Sequence, residues 1–282
     1  MAIIGFWSGS KKETGQTVSI CSIATYMAVE HNYKILLLDA TFDDDSMERG
    51  FWKVEKNNKK DFAKQLNKGK MDIASGAEGL VSAVASNKAT PEVITNFTRV
   101  VFKNRLDVVC GLKTKVFADF RKSLMLYKDL IKAADKYYDL VFVDLPKTLD
   151  DEITKVLLET SNIIVYNFTK NLKQADEYLE LMEKYPDILV REKIIPLLSN
   201  GDEETVYNVK NYTRYIGEKK EICTVPYNPS FVKNISEAGI AQFFITSRLA
   251  GKVNDKNGEF VKAVEGTSKR IVEKLKELKL KT

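Results

Sequence analysis

The segment between the first apolar run and the first helical pattern has the residue types of an anion-binding loop. Residues 7–19 read WSGSKKETGQTVS, with adjacent lysines at Lys11 and Lys12 and with Gly15 and Thr17 at the start of the helical pattern. A helix that begins after a strand directs unpaired N–H groups and the positive end of its dipole toward its start. The segment therefore predicts a phosphate-binding loop that runs from a strand into a helix.

The elements that position this loop follow from the hydrophobic pattern of the chain. Short, nearly continuous apolar runs alternate with helical patterns, as expected for strands that are covered on both faces of a parallel sheet. Candidate strands are residues 3–7, 34–39, 106–110, 140–144, 162–167, 193–198 and 221–225. Candidate helices are residues 17–30, 118–137, 151–159, 172–184, 203–216 and 259–278. The alternation predicts an α/β fold with a doubly wound, mostly parallel sheet and helices on both faces.

Composition excludes several other classes of protein. The 282 residues are 44% hydrophobic and 29% charged, which is unlike a disordered chain, collagen or a coiled coil. The apolar runs are far shorter than the roughly 20 residues that a membrane-spanning helix needs. One histidine and three scattered cysteines exclude a histidine-rich zinc site and a disulfide framework. We expect one domain over residues 1–282, with a lysine-rich insert at about 53–70.

The phosphate-binding segment resembles the KGGxGKT[TS] loop of the ParA/MinD family of deviant P-loop ATPases. Lys11, Gly15 and Thr17 match that pattern. Three further segments match the family in order and spacing: KILLLD at 34–39 resembles KVLLIDxD, YDLVFVDLP at 138–146 resembles YDxIxIDxPP, and VPYN at 225–228 resembles IPYD. The resemblance covers nearly the whole chain. It implies a P-loop NTPase fold of the SIMIBI-like type, with a sheet of seven to eight strands.

The resemblance also implies a ligand and the residues that hold it. The family binds ATP or ADP with Mg²⁺, and its signature lysine, here Lys11, reaches across a homodimer. The residues that correspond to nucleotide contacts are Lys11, Lys12, Thr14, Gly15, Gln16, Thr17, Val18, Pro226 and Asn228. Those that correspond to the magnesium site are Thr17, Asp39 and Asp144.

The sequence departs from the family pattern where hydrolysis depends on charge. Gln16 replaces the phosphate-binding lysine, and Thr41 replaces the second aspartate of DxD. Glu13 and Lys12 replace two glycines that let the backbone approach phosphate. Phosphoryl transfer requires placed charge around the transferred group. These changes predict weak or absent hydrolysis, with Lys11 and Asp43 as weak catalytic candidates.

Two functions remain open at this stage. The first is a ParA/MinD-like ATP-binding protein that acts in the positioning or partition of DNA, a plasmid or a cell-envelope apparatus. The second is a pseudo-ATPase scaffold that binds no nucleotide and acts through protein–protein contacts, as in TadZ/CpaE-like localisation proteins. Either one implies a homodimer, an unidentified protein partner and a cytoplasmic location, with recruitment to the nucleoid or to the inner face of the membrane left open.

The C-terminal segment leaves a choice between two surfaces. Residues 268–282 read SKRIVEKLKELKLKT, in which Ile271, Leu275 and Leu278 fall on one helical face among basic residues. A basic amphipathic helix can lie on an anionic membrane. The apolar stripe is thin, however, and we favour packing against the core. Non-specific DNA binding through scattered lysines stays open as well.

Overall fold

A computed structural model describes residues 2–9, 14–53, 76–86, 88, 90–147, 149, 152–199, 209–249 and 255–279. Within these ranges the chain forms one sheet of eight strands. The strands are β1 (Ala2–Trp7), β2 (Ile35–Asp39), β3 (Arg99–Phe102), β4 (Leu106–Val109), β5 (Leu140–Asp144), β6 (Ile163–Phe168), β7 (Ile194–Ser199) and β8 (Cys223–Val225).

The strand order in the sheet is β3-β4-β2-β5-β1-β6-β7-β8. All neighbours are parallel except β3, which runs antiparallel to β4 at one edge. β1 lies near the centre, between β5 and β6. The sheet reverses its direction of winding there, so the loop after β1 leaves the sheet at the position where α/β folds bind their ligands.

Helices cover both faces of the sheet. They are α1 (Gln16–Glu30), α2 (Ser46–Phe51), α3 (Ala77–Ala85), α4 (Pro91–Ile94), α5 (Phe117–Leu124), α6 (Tyr127–Asp135), α7 (Glu152–Thr160), α8 (Leu172–Lys184), α9 (Val209–Tyr215), α10 (Pro229–Ser236), α11 (Ile240–Leu249) and α12 (Lys256–Lys279). Short 3₁₀ turns span Thr95–Phe97 and Arg191–Lys193.

Each face of the sheet has its own apolar core because strand side chains alternate between faces. Trp7 belongs to the core under α3, α6, α7 and α8. Its neighbour Phe6 belongs to the core under α1, α11 and α12. Both side chains are fully buried. The strand runs that looked continuously apolar in the sequence are therefore buried on both sides, as predicted, and the fold class is confirmed.

The last helix is part of the second core. Ile271 of α12 is fully buried, and Leu275 and Leu278 pack partly buried against the same cluster. α12 lies against β8, α1 and α11. The apolar stripe of the C-terminal segment thus faces the protein up to Lys279, which agrees with the favoured prediction of core packing.

Several observed elements were not predicted, namely the strand β3 and the helices α2, α4, α10 and α11. The helix predicted over 118–137 is two helices, α5 and α6, with Met125 and Leu126 between them. Residues 203–208 of another predicted helix, and residues 54–70 of the lysine-rich insert, lie outside the described residues. The single-domain organisation stays a prediction.

Candidate functional site

The loop between β1 and α1 ends in a left-handed residue that starts the helix. Gly15 is the N-cap of α1 with φ 68°, a conformation that glycine adopts without steric cost. Gln16 and Thr17 follow as the first helical residues. The predicted nucleotide contacts Lys11 and Lys12 lie outside the described residues, so their roles stay predictions.

Two neighbouring strands hold the loop on both sides. Ser199 at the end of β7 donates its hydroxyl to the carbonyl of Thr14 at 2.5 Å. The Gly9 amide donates to the hydroxyl of Tyr166 in β6 at 3.2 Å. Ser199 and the Tyr166 side chain are both nearly inaccessible to solvent. The described ends of the loop are therefore fixed to β6 and β7 by buried polar contacts.

Gln16 is bound to the end of β5. Its side chain is 2% exposed, and Nε2 donates to Asp144 Oδ1 at 2.6 Å and to the carbonyl of Leu145 at 2.8 Å. Two acceptors define which end of the amide carries the nitrogen. Among the described residues, Gln16 Oε1 has no hydrogen-bond partner. The residue that replaces a phosphate-binding lysine therefore contacts a strand-end carboxyl.

Thr17 contacts the other oxygen of the same carboxyl. Its hydroxyl donates to Asp144 Oδ2 at 2.8 Å. Asp144 thus accepts one hydrogen bond on each carboxyl oxygen, from two consecutive residues of α1. Sequence reasoning placed Thr17 and Asp144 in one metal site, and the structure brings them into direct contact.

Asp39 lies on the strand next to Asp144 and is held by Thr41. The two aspartates are register partners across β2 and β5. The backbone N–H and the hydroxyl of Thr41 both donate to Asp39 Oδ1, at 2.8 and 2.6 Å. On the other side, a Cβ at Gly111 would come within 2.8 Å of Asp39 Oδ2, so only glycine fits there without movement. Thr41 therefore orients Asp39, a role that the sequence did not reveal.

The two carboxyls form a buried acidic pair. Asp39 is 3% exposed and Asp144 is 1% exposed. Burial raises the pKa of the Asp39 carboxyl above its ordinary value, and the charge of Asp144 raises it further, while the bonds from Thr41 act in the opposite direction. Burial also raises the pKa of Asp144, partly offset by the bonds from Gln16 and Thr17. Neither carboxyl forms an ion pair with a cation in the described part of the chain.

This group of side chains offers hard oxygen ligands. The described residues contain no group of three or more His, Cys, Asp or Glu side chains that could hold a metal ion. Two carboxylates and the Thr17 hydroxyl fit Mg²⁺ instead, because this ion usually keeps several waters and takes other ligands from phosphates. Neutral Gln16 brings no charge to the buried pair, so a bound cation would supply the positive charge that the described side chains of the site lack.

The remaining predicted site residues have other contacts. Asp43 forms an ion pair with Lys115 on the surface. The Asn228 side chain caps α10 by accepting from the Phe231 amide at 2.8 Å, and it donates to the carbonyl of Lys256 at 3.0 Å. Val18 packs partly buried against the second core, and Pro226 is half-buried before α10. Whether these residues contact a nucleotide stays a prediction.

The mostly parallel sheet, with the connection from β1 to α1 leaving near its centre, is a doubly wound α/β fold. The start of α1 lies beside the acidic pair, because Gln16 and Thr17 both contact Asp144. Among doubly wound α/β folds, the solved structures similar to this chain are ParA and MinD ATPases. The chain has the architecture of the ParA/MinD ATPases.

Three of those structures indicate the extent of the similarity. A ParA family ATPase from Chlorobium tepidum TLS superimposes with a TM-score of 0.69 at 14% identity, over 92% of this chain and 98% of the other. MinD of Pyrococcus horikoshii OT3, complexed with Mg-ADP, gives 0.68 at 13%, over 97% and 98%. A putative plasmid partition protein of Borrelia burgdorferi B31, bound to AMPPNP, gives 0.59 at 14%, over 94% and 97%.

At these identities the likeness establishes the fold alone. The sequence matches no protein-family model and no curated protein at a significant level. In the described part of the chain, no helix combines the length and the apolar character needed to cross a bilayer.

Proposed function

We propose that this chain is a ParA/MinD-like protein that binds ATP or ADP with Mg²⁺ at the start of α1 and acts in positioning or partition. The cargo class is DNA, a plasmid or a cell-envelope apparatus. The observation that carries the proposal is the contact between Thr17 Oγ1 and Asp144 at 2.8 Å, beside the buried Asp39. These oxygens suit Mg²⁺, and the Mg-ADP and AMPPNP complexes of two structures with the same fold support the choice of ligand.

Hydrolysis in this proposal is weak or absent. Gln16 can donate a neutral hydrogen bond, but charge-assisted bonds are about twice as strong. Thr41 donates to Asp39 and offers no carboxylate to orient water. Asp43, the candidate substitute, is bound to Lys115. The described residues of the site thus lack the placed charge on which phosphoryl transfer depends.

Nucleotide binding must rearrange the contacts of Gln16. To reach a phosphate, its Nε2 must leave Asp144 and the Leu145 carbonyl. Mg²⁺ would likewise take the Thr17 hydroxyl from Asp144. The free energy of these buried hydrogen bonds therefore opposes binding, and it reduces affinity unless the phosphates make stronger contacts.

The proposed assembly is a homodimer with an unidentified protein partner. Lys11, if it acts as the signature lysine, would reach the nucleotide of the other copy. The proposed location is cytoplasmic, with recruitment to the nucleoid or to the membrane through partners. Non-specific DNA contact through surface lysines is a secondary proposal. The burial of Ile271 in α12 argues against the C-terminal stripe as a membrane anchor.

A non-nucleotide-binding scaffold is the second candidate. One observation favours it, namely the two buried bonds that tie Gln16 to the end of β5. While these bonds persist, the Gln16 side chain, which stands at the position of the phosphate-binding lysine, has no N–H donor left for a ligand. The fold would then be kept for protein–protein contact alone.

A titration of the purified protein with a fluorescent ATP analogue separates the two candidates. We would compare wild type, Gln16→Lys and Thr17→Val, each with and without Mg²⁺, and follow mass by light scattering. Wild type should bind with Mg²⁺ and shift from monomer to dimer. Gln16→Lys should bind about tenfold more tightly because it restores a charge-assisted contact. Thr17→Val keeps the shape of threonine, so it should lose only the increase in affinity for the ATP analogue that Mg²⁺ causes.

One outcome would contradict nucleotide binding, and another would contradict the proposed magnesium site. If neither wild type nor Gln16→Lys binds at millimolar nucleotide, the pocket is not functional and the scaffold is favoured. If wild type binds but Thr17→Val responds to Mg²⁺ as wild type does, the magnesium site lies elsewhere.

A further inference from the structure

A small pocket lies at the amino-terminal ends of β7 and β8. The pairing of these strands begins at Leu197 and Cys223, although β7 itself begins at Ile194. The pocket opens in this gap, between residues 194–196, the segment 218–222 and α12. The phosphate loop contacts Ser199 at the other end of β7, about 16 Å away along the strand. The two sites are therefore separate.

Three cations line this pocket, and two of them have carboxylate partners. Arg270 Nη1 lies 2.9 Å from Glu277 Oε1, and Lys220 Nζ lies 3.3 Å from the same oxygen. Lys274 is the third cation. Lys274 as a whole residue is 9% exposed to solvent. Among the described residues, no carboxylate oxygen lies within 4.0 Å of its Nζ, and no hydrogen bond to it is formed.

The methylene chain of Lys274 is largely buried, whereas its ammonium reaches solvent at the pocket without a close counter-ion. Burial lowers the pKa of Lys274, and the neighbouring charge of Arg270 acts in the same direction. More distant carboxylates, those of Glu277, Glu218 and Glu192, oppose this only in part. An anion in the pocket would compensate the Lys274 charge directly.

The carboxylates at the pocket do not take this role. Glu277 is shared by Arg270 and Lys220. Glu218 lies 3.5 Å from Arg191. Glu221, which also lines the pocket, is exposed to solvent. Lys274 is thus the cation of the pocket wall whose charge is left without a close counter-ion.

We propose that this pocket binds the phosphate group of a small ligand, or free phosphate, with Lys274 as the main contact and Arg270 and Lys220 at its rim. A phosphate oxygen accepts strong charge-assisted bonds from an ammonium, and lysine serves as a point charge for it. Arg270 has donors beyond the one that contacts Glu277, because a guanidinium carries five N–H groups. The site does not depend on nucleotide binding at α1.

The test measures thermal unfolding in inorganic phosphate, in glycerol phosphate and in sodium chloride of equal ionic strength. The variants are Lys274→Met, which keeps the length of the side chain, and Lys276→Met, which removes an exposed lysine two positions away. Wild type and Lys276→Met should be stabilised saturably by phosphate beyond the salt control. Lys274→Met should bind at least about tenfold more weakly. Tighter binding of one phosphate compound identifies the source.

Lysine footprinting keeps the test decisive if Lys274→Met folds poorly. In wild type, phosphate should protect Lys274 from acetylation and leave Lys276 equally reactive, as read by peptide mass. The proposal is overturned if phosphate protects neither lysine or both equally. It is also overturned if phosphate stabilises Lys274→Met as it does wild type, since the anion then binds elsewhere, for example at the phosphate loop.

Discussion

Replacement of Asp39 by asparagine should stabilise the protein, because it removes a buried charge and keeps the hydrogen bonds of the site. Asp39 Oδ1 accepts from the N–H and the hydroxyl of Thr41. Asparagine Oδ1 can accept the same two bonds. The carboxylate is nearly inaccessible and faces Asp144 across adjacent strands. The loss of its charge relieves both burial and repulsion.

The sign and size of the effect follow from proton linkage. Burial, and then Asp144, raise the pKa of Asp39 above that of an unfolded chain, which is about 3.9. Below about pH 4 the Asp39 carboxyl is protonated in both states, and the protein has its full free energy of unfolding. As the pH rises toward the raised pKa of the folded state, this free energy of unfolding decreases. Each pH unit between the unfolded and the raised folded pKa corresponds to about 1.4 kcal/mol, so with a folded pKa of about 8 the range from about pH 4 to pH 7 gives about 4 kcal/mol.

Urea unfolding from about pH 4 to about pH 8 measures this difference. The free energy of unfolding of Asp39→Asn should exceed that of wild type by about 4 kcal/mol near neutral pH and by little near pH 4. Asp119→Asn, at an exposed carboxylate on α5, serves as the control and should follow wild type. A variant that is less stable than wild type at neutral pH, or a difference that is independent of pH, would refute the reasoning. The variant should also lose Mg²⁺-dependent nucleotide binding.

Three further substitutions test other contacts. Gln16→Ala leaves two buried acceptors without their donor and should cost about 2–4 kcal/mol in urea unfolding; a cost under about 1 would mean that these bonds are weak. Ser199→Ala should cost about 1 kcal/mol and speed amide exchange near Thr14, while the exposed Ser236→Ala changes neither; unchanged exchange would rule out the anchor. Ile271→Ala should cost about 2–4 kcal/mol, and a negligible cost would contradict core packing of α12.

The fold was largely predictable because each central strand is a continuous apolar run in the sequence. Apolar runs that end in Asp39 and Asp144 identify β2 and β5, and parallel pairing brings the two ends to one edge. β3 has only four residues, and Val100 in it is 56% exposed, so it gives no buried run. The break between α5 and α6 at Met125 contains no glycine or proline that could have marked it.

The sequence pattern alone identifies the local parts of the site, and the resemblance to a family adds the distant pair Thr17 and Asp144. Gly15 and Thr17 follow from the pattern of a helix start. Gln16 contacts Asp144, 128 positions away, and Thr14 contacts Ser199, 185 positions away. No local sequence pattern predicts contacts between residues so far apart in the chain. Thr41 is different, because a threonine two residues after an aspartate is a common turn pattern that could have predicted its bond to Asp39.

The place of β1 in the sheet determines when the protein can fold during synthesis. In the described part of the chain, β1 pairs with β5 and β6, which begin at Leu140 and Ile163. At ribosomal rates of about 5–20 residues per second, β1 waits roughly 7–30 s for its first partner. During that time AIIGFW is an apolar strand with two open edges. Its exposure favours aggregation, so the nascent chain should depend on chaperones more than its finished core suggests.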